Sequence, residues 1–168
     1  MIRAHPSRSI VQAAVLAAAL AAAPGAGAQT PSPPQFINGS TCSFDTSQGG
    51  LYVFGPYLGG ARGIAYCSFA PPIHNFGQPL PTLSSVNVSG YTREGGQIRS
   101  QACATVSFAG PARIYCGPER ISVGDFNDAL ELPRPVEAPT AYFVIVSITS
   151  TLGPPAPALS GLSVVWLR

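Results

Sequence analysis

Beyond Gln35 the apolar and polar residues alternate with period two, and no stretch sustains the 3.6-residue stripe of a surface helix. From Thr82 to Tyr91, Val86 and Val88 fall on one side of an extended chain while Ser85, Asn87 and Ser89 fall on the other. After a reversal at Arg93-Glu94-Gly95-Gly96, one side carries Ile98, Ala102, Ala104, Val106 and Phe108, and the other carries Arg99, Gln101, Thr105 and Ser107. Both runs read as half-buried strands with one wet face. Ala141 to Thr151 differs, because Tyr142, Val144, Val146 and Ile148 face one way and Phe143 and Ile145 the other. A strand apolar on both sides belongs in the middle of a covered sheet, or its second face meets a loop or a partner.

Shorter runs complete the pattern: Ser40–Phe44, Leu51–Phe54, Gly63–Phe69, Arg113–Gly117, Phe126–Leu132 and Leu162–Leu167, the last with the only tryptophan, Trp166. The sum is about eight to nine strands with turn signals at short intervals, which predicts one all-β domain over 36–168. The expected architecture is a single antiparallel β-sandwich of jelly-roll or Greek-key kind. Gln29 to Gln35 reads as a Pro-rich, mobile leader.

Composition agrees: 18 glycines and 18 prolines occur among 168 residues, and only 10% of residues are charged. All nine basic residues are arginine. The lack of lysine removes the P-loop NTPase signature, Schiff-base chemistry and lysine-assisted serine nucleophiles. Past residue 28, seven arginines balance seven acids, so there is no basic field for nucleic acid.

The first residues explain the remaining charge. Met1 to Arg8 is basic, Ile10 to Ala23 is a soft apolar run, and Ala26-Gly27-Ala28 offers the small residues that signal peptidase accepts. Residues 1–28 therefore read as a secretory signal, cleaved between Ala28 and Gln29, with the mature protein secreted or periplasmic. The apolar run of about 14 residues is shorter than the ~20 that a membrane helix needs. Four cysteines in an exported chain read as disulfides, and none has the close spacing of a zinc ribbon. Cys103 and Cys116 flank a turn-like Ala109-Gly110-Pro111-Ala112, which sets them opposite each other on a hairpin. Cys42–Cys67 follows by elimination.

Gly39-Ser40-Thr41-Cys42, Ala65-Tyr66-Cys67 running into Pro71-Pro72, Gln101-Ala102-Cys103, Tyr115-Cys116-Gly117 and the Tyr142 to Ile148 strand resemble the framework of a loose group of small exported bacterial β-sandwich proteins without an assigned activity. That resemblance implies a fold and a compartment and lends no functional residue.

Catalytic candidates are few. His74, the only histidine after the signal, sits in a loop behind two prolines, and no Gly-x-Ser-x-Gly elbow accompanies it. Glu119, Asp125, Asp128 and Glu131 are the nearest carboxylates to a glycosidase pair. Asp125, Asn127 and Asp128 could begin a calcium site, but their spacing is not an EF-hand, and a turn after Gly124 accounts for them more simply. The chain is thus expected to be non-catalytic and without a cofactor. Sugar-binding faces need aromatic platforms with amide and hydroxyl groups. Tyr52, Tyr57, Tyr66, Tyr91 and Tyr115 are available, with Asn87, Arg93 and Gln97 near Tyr91 in sequence. Tyr91, ending a polar strand face, is the leading platform. The expected partner is polysaccharide or cell-envelope material, and the alternatives are a structural subunit of a surface or matrix assembly and, third, a secreted hydrolase.

Overall fold

The structure, a computed structural model, describes residues 30–44, 50–72, 81–107, 111–134, 139, 141–151 and 156–167. The signal segment with its cleavage point, the Ala109-Gly110 turn and His74 lie outside the described residues. Twelve strands occur among them: β1 (Gln35–Asn38), β2 (Ser43–Phe44), β3 (Leu51–Phe54), β4 (Tyr57–Gly60), β5 (Arg62–Phe69), β6 (Thr82–Tyr91), β7 (Gly96–Val106), β8 (Arg113–Cys116), β9 (Arg120–Ser122), β10 (Asp125–Leu130), β11 (Ala141–Ser150) and β12 (Ala158–Leu167). The one helical turn among the described residues is a 3-10 segment at Gly39–Thr41.

The strands form two antiparallel sheets. The first runs β10-β6-β12-β4-β3, with β1 also paired to β12; the second runs β2-β5-β11-β7-β8, with β9 also paired to β7. Period-two alternation sends one face of each sheet inward. Val86 and Val88 of β6 and Leu159, Leu162, Val164 and Trp166 of β12 share a single core cluster with Ile98 of β7 and Val144, Val146 and Ile148 of β11. Burial of such side chains contributes about 1.5–3 kcal/mol each, so this cluster is the main source of cohesion. At one end of it Phe69 stacks on Tyr142 at 6.3 Å, and Trp166 stands edge-on to both at 6.2 and 5.7 Å.

The strand that is apolar on both sides is central to its sheet. β11 pairs with β5 along one edge and β7 along the other. Val144, Val146 and Ile148 are fully buried, while Phe143 and Ile145 lie half-buried on the outer face.

Two disulfides pin the second sheet. Cys103 faces Cys116 across β7 and β8 and is bonded to it, and Cys42 is bonded to Cys67 where β2 meets β5. Each closes a loop whose chain-entropy contribution is about 3 kcal/mol. No helix among the described residues is long and apolar enough to cross a membrane.

Several elements depart from the sequence expectation, which counted fewer strands. β1, β4 and β9 are additional. β4 carries Gly59 and Gly60, which imitate a turn, and β9 has three residues, too few to show a period. Asp125 to Asp128 is not a turn but the start of β10; the reversal falls one step earlier at Gly124, whose φ of 71° suits glycine. Part of the leader contacts the last strand. Pro31 bridges to Leu167, the Ser32 amide donates to the Trp166 carbonyl at 2.7 Å, and the Ser32 hydroxyl accepts from the Trp166 amide at 3.2 Å. Serine thus supplies the backbone donor that its proline neighbours lack, and its hydroxyl adds an acceptor.

Burial raises the pKa of Tyr142 above its ordinary 10.0. The folded state therefore holds this proton more tightly than the unfolded chain, and the stability it contributes is full below about pH 10 and lost as pH rises through the raised value. Urea midpoints measured from about pH 8 to pH 11 should fall more steeply for the native protein than for Tyr142→Phe. Parallel declines would place the alkaline sensitivity elsewhere.

Candidate functional site

The outer face of the first sheet follows from the same alternation that builds the core. With Val86 and Val88 pointing inward, Asn87, Ser89 and Tyr91 must point outward. On β10, Asp125, Asn127 and Ala129 stand opposite Tyr91, Ser89 and Asn87 and share that face. On β12, Ser163 and Gly161 lie beside Asn87 and Ser89. β1 then places Phe36 next to Ser163 and Asn38 next to Gly161.

A β-bulge re-phases β12 so that this works. Between Leu159 and Gly161 the register shifts, leaving Ser160 as the extra residue. Leu159 and Leu162 can therefore both enter the core, although they are three apart, while Gly161 and Ser163 remain outside. At Gly161 the face has no side chain because there is no space for one: a Cβ would collide with the Ile37 carbonyl of β1.

The result is a shallow groove of about 450 Å³ lined by Phe36, Asn38, Asn87, Ser89, Asn127 and Ser163, floored by Gly161. Its polar atoms are amides and hydroxyls. Ser89 donates to the Gly161 carbonyl at 3.3 Å, whereas the Asn87 and Asn127 side chains have no hydrogen-bond partner among the described residues. Unengaged amides offer both donors and acceptors to a ligand. Phe36, at 77% exposure, forms one wall and is the most exposed of the large apolar residues among those described.

Beyond the groove's other end lies an aromatic row. Tyr91 stands edge-on to Tyr57 at 6.5 Å, Tyr57 stacks with Phe54 at 5.3 Å, and Phe54 meets Tyr52 at 5.6 Å. Two small residues permit this. Gly59 is paired with Ala158, and a Cβ on Gly59 would lie 2.8 Å from the Phe54 ring. The rings thereby cover Ala158, which is wholly buried.

The structure sorts the sequence candidates. Tyr91 lies on this face together with Tyr52 and Tyr57, while Tyr66 and Tyr115 belong to the second sheet. Asn87 lies in the groove, but Gln97, near Tyr91 in sequence, is on β7 in the other sheet. The calcium candidates divide by strand alternation. Asp125 and Asn127 point outward, whereas Asp128 turns to the opposite side, where it accepts from Ser122 at 2.5 Å and pairs with Arg120 at 3.5 Å. No group of acidic, histidine or cysteine side chains suited to a metal occurs among the described residues. Glu119 pairs with Arg99 of β7, in the second sheet, at 3.1 Å, whereas Asp125 opens β10 in the first. Sequence reasoning missed Phe36, which directly follows the Pro-rich leader, and Phe54, whose neighbours come from strand pairing.

A second surface lies on the outer face of the second sheet. Ile64 and Tyr66 of β5 adjoin Phe143 and Ile145 of β11, and Ile114 of β8 extends the apolar area beside the Cys103–Cys116 bond.

The groove depends on β1 lying close against β12. Gly161→Ala should push β1 away, costing about 1–3 kcal/mol and exposing those β1 amides that donate to β12 to rapid hydrogen exchange while the β6 and β11 amides remain protected. Unchanged protection of β1 would contradict this packing. No protein-family profile, curated protein or solved structure matches this chain.

Proposed function

We propose that this chain is an exported, non-catalytic binding module for carbohydrate or cell-envelope glycan, a β-sandwich of jelly-roll or Greek-key kind whose ligand lies across the outer face of the first sheet. The observation that carries this reading is the juxtaposition of unengaged amides and hydroxyls, Asn87, Asn127 and Ser163, with aromatic faces at Tyr91 and Phe36. Sugars present hydroxyl rims and apolar C–H faces, and this surface complements both. The cavity size falls within the ordinary range for small-ligand sites.

Export rests on the signal pattern of residues 1–28 and is supported by the two disulfides. Mass spectrometry of the protein recovered from its native host should give a chain beginning at Gln29 with no alkylatable thiol; intact residues 1–28, or alkylatable cysteines, would overturn this assignment.

The apolar outer face of the second sheet favours a second reading, in which copies of the chain assemble through Ile64, Tyr66, Phe143 and Ile145. One comparison separates the two. Mature protein should be retained on at least one of cellulose, chitin or peptidoglycan, with and without chelator. Tyr91→Ala should reduce that retention about tenfold or more, in line with the loss of an aromatic anchor. No retention on any polymer, with concentration-dependent self-association in sedimentation, would favour assembly instead.

A further inference from the structure

Resting on the reading of the first sheet as a glycan-binding face, we infer that the face takes an internal stretch of a neutral, linear polysaccharide, laid diagonally from Tyr91 to Phe36. Three observations converge on this ligand class.

The first is length. Tyr91 lies four residues along β6 from Asn87, and Asn87 is two strands across from Phe36 through Ser163. Strand geometry makes the Tyr91 to Phe36 separation about 17 Å between Cα atoms. A single sugar ring cannot touch both aromatics, whereas a linear tri- or tetrasaccharide can. Between them the path crosses Ser89, Gly161 and Ser163, with Asn87 and Asn127 alongside, so each successive ring meets amide or hydroxyl groups.

The second is charge. No residue lining the groove carries one. The charged side chain that shares the face is Asp125, paired across from Tyr91, and no ion pair engages it among the described residues. A carboxylate at the entry repels uronic acids and other anionic chains, and no arginine lines the groove to offset it.

The third is shape. The ligand path runs over the face of a sheet, and its floor at Gly161 is level with the backbone. Such a surface lets a polymer enter and leave at both ends, whereas recognition of a chain terminus needs a closed pocket with polar groups converging on one ring. Phe36 acts as the remote platform: its exposure gives it little role in folding, and its place on β1 aligns it with the far end of the ligand.

Calorimetric titration of the mature protein with cello- and chito-oligosaccharides of one to six units, and with oligogalacturonides of the same lengths, tests the inference. Monosaccharides should give no measurable heat of binding. Affinity in one neutral series should rise about tenfold or more between two and four units and then level off. Oligogalacturonides should bind at least about tenfold more weakly at equal length. Phe36→Ala, with an unchanged melting temperature, should bring the longer oligosaccharides down to the disaccharide's affinity. Affinity independent of length, preference for the anionic series, or indifference to Phe36→Ala would each overturn the inference while leaving a glycan-binding face intact. Absence of binding to every series, together with no retention on any polymer, would overturn the underlying reading as well.

Discussion

The pairing of β6 with β12 is the constraint on which both the core and the proposed binding face depend. Val86 and Val88 are wholly buried, and Leu162 and Val164 lie opposite them on β12. Because a strand alternates, placing these four inward fixes Asn87, Ser89, Gly161 and Ser163 outward. A one-residue slip would exchange the two sets, exposing the valines and burying amides without partners, at about 1–3 kcal/mol for each unpaired polar group. Hydrophobic burial therefore enforces the arrangement of the groove. The bulge at Ser160 is the device that lets β12 satisfy the core on both sides of an irregular register.

The remaining structure serves to hold that pair in place and to extend it. β10 continues the outer face on one side through Asp125 and Asn127, and β1 with β4 continues it on the other. The second sheet supplies the opposing half of the core, and its two disulfides constrain segments that bury little on their own, such as the two-residue β2 and the exposed β8. Close backbone approach does the rest: Gly161 lets β1 lie against β12, and Gly59 lets the Phe54 ring fold over Ala158.

Much of this was legible in the alternation. Thr82 to Tyr91 shows its strand and both of its faces in sequence, and the Cys103 and Cys116 positions imply a hairpin because residues of strand character flank a Gly-Pro turn. What could not be read has specific causes. The bulge at Ser160 breaks the period, so only the half of β12 from Leu162 shows as a strand. Paired glycines conceal β4, and prolines conceal β1. Asp125 to Asp128 has turn-forming residues, but its backbone joins the ladder beside β6, and tertiary pairing outweighs local preference there. The site shows the same division. Tyr91 could be singled out from its own strand, yet its grouping with Tyr57, Phe54 and Tyr52 depends on the β6–β12–β4–β3 order, which is non-local. Phe36 gave no signal because its function as a wall depends on pairing with Ser163.

On the proposed function, ligand binds the outer face of the first sheet and leaves that of the second untouched. Backbone amide shifts of isotopically labelled mature protein, followed by NMR during titration with a soluble fragment of the retained polymer, test it residue by residue. Shifts should concentrate at Asn87, Ser89, Tyr91, Asn127 and Gly161, with Ile64, Tyr66 and Ile145 unmoved. Shifts confined to Ile64, Tyr66 and Ile145, or no shifts at saturating ligand, would contradict it.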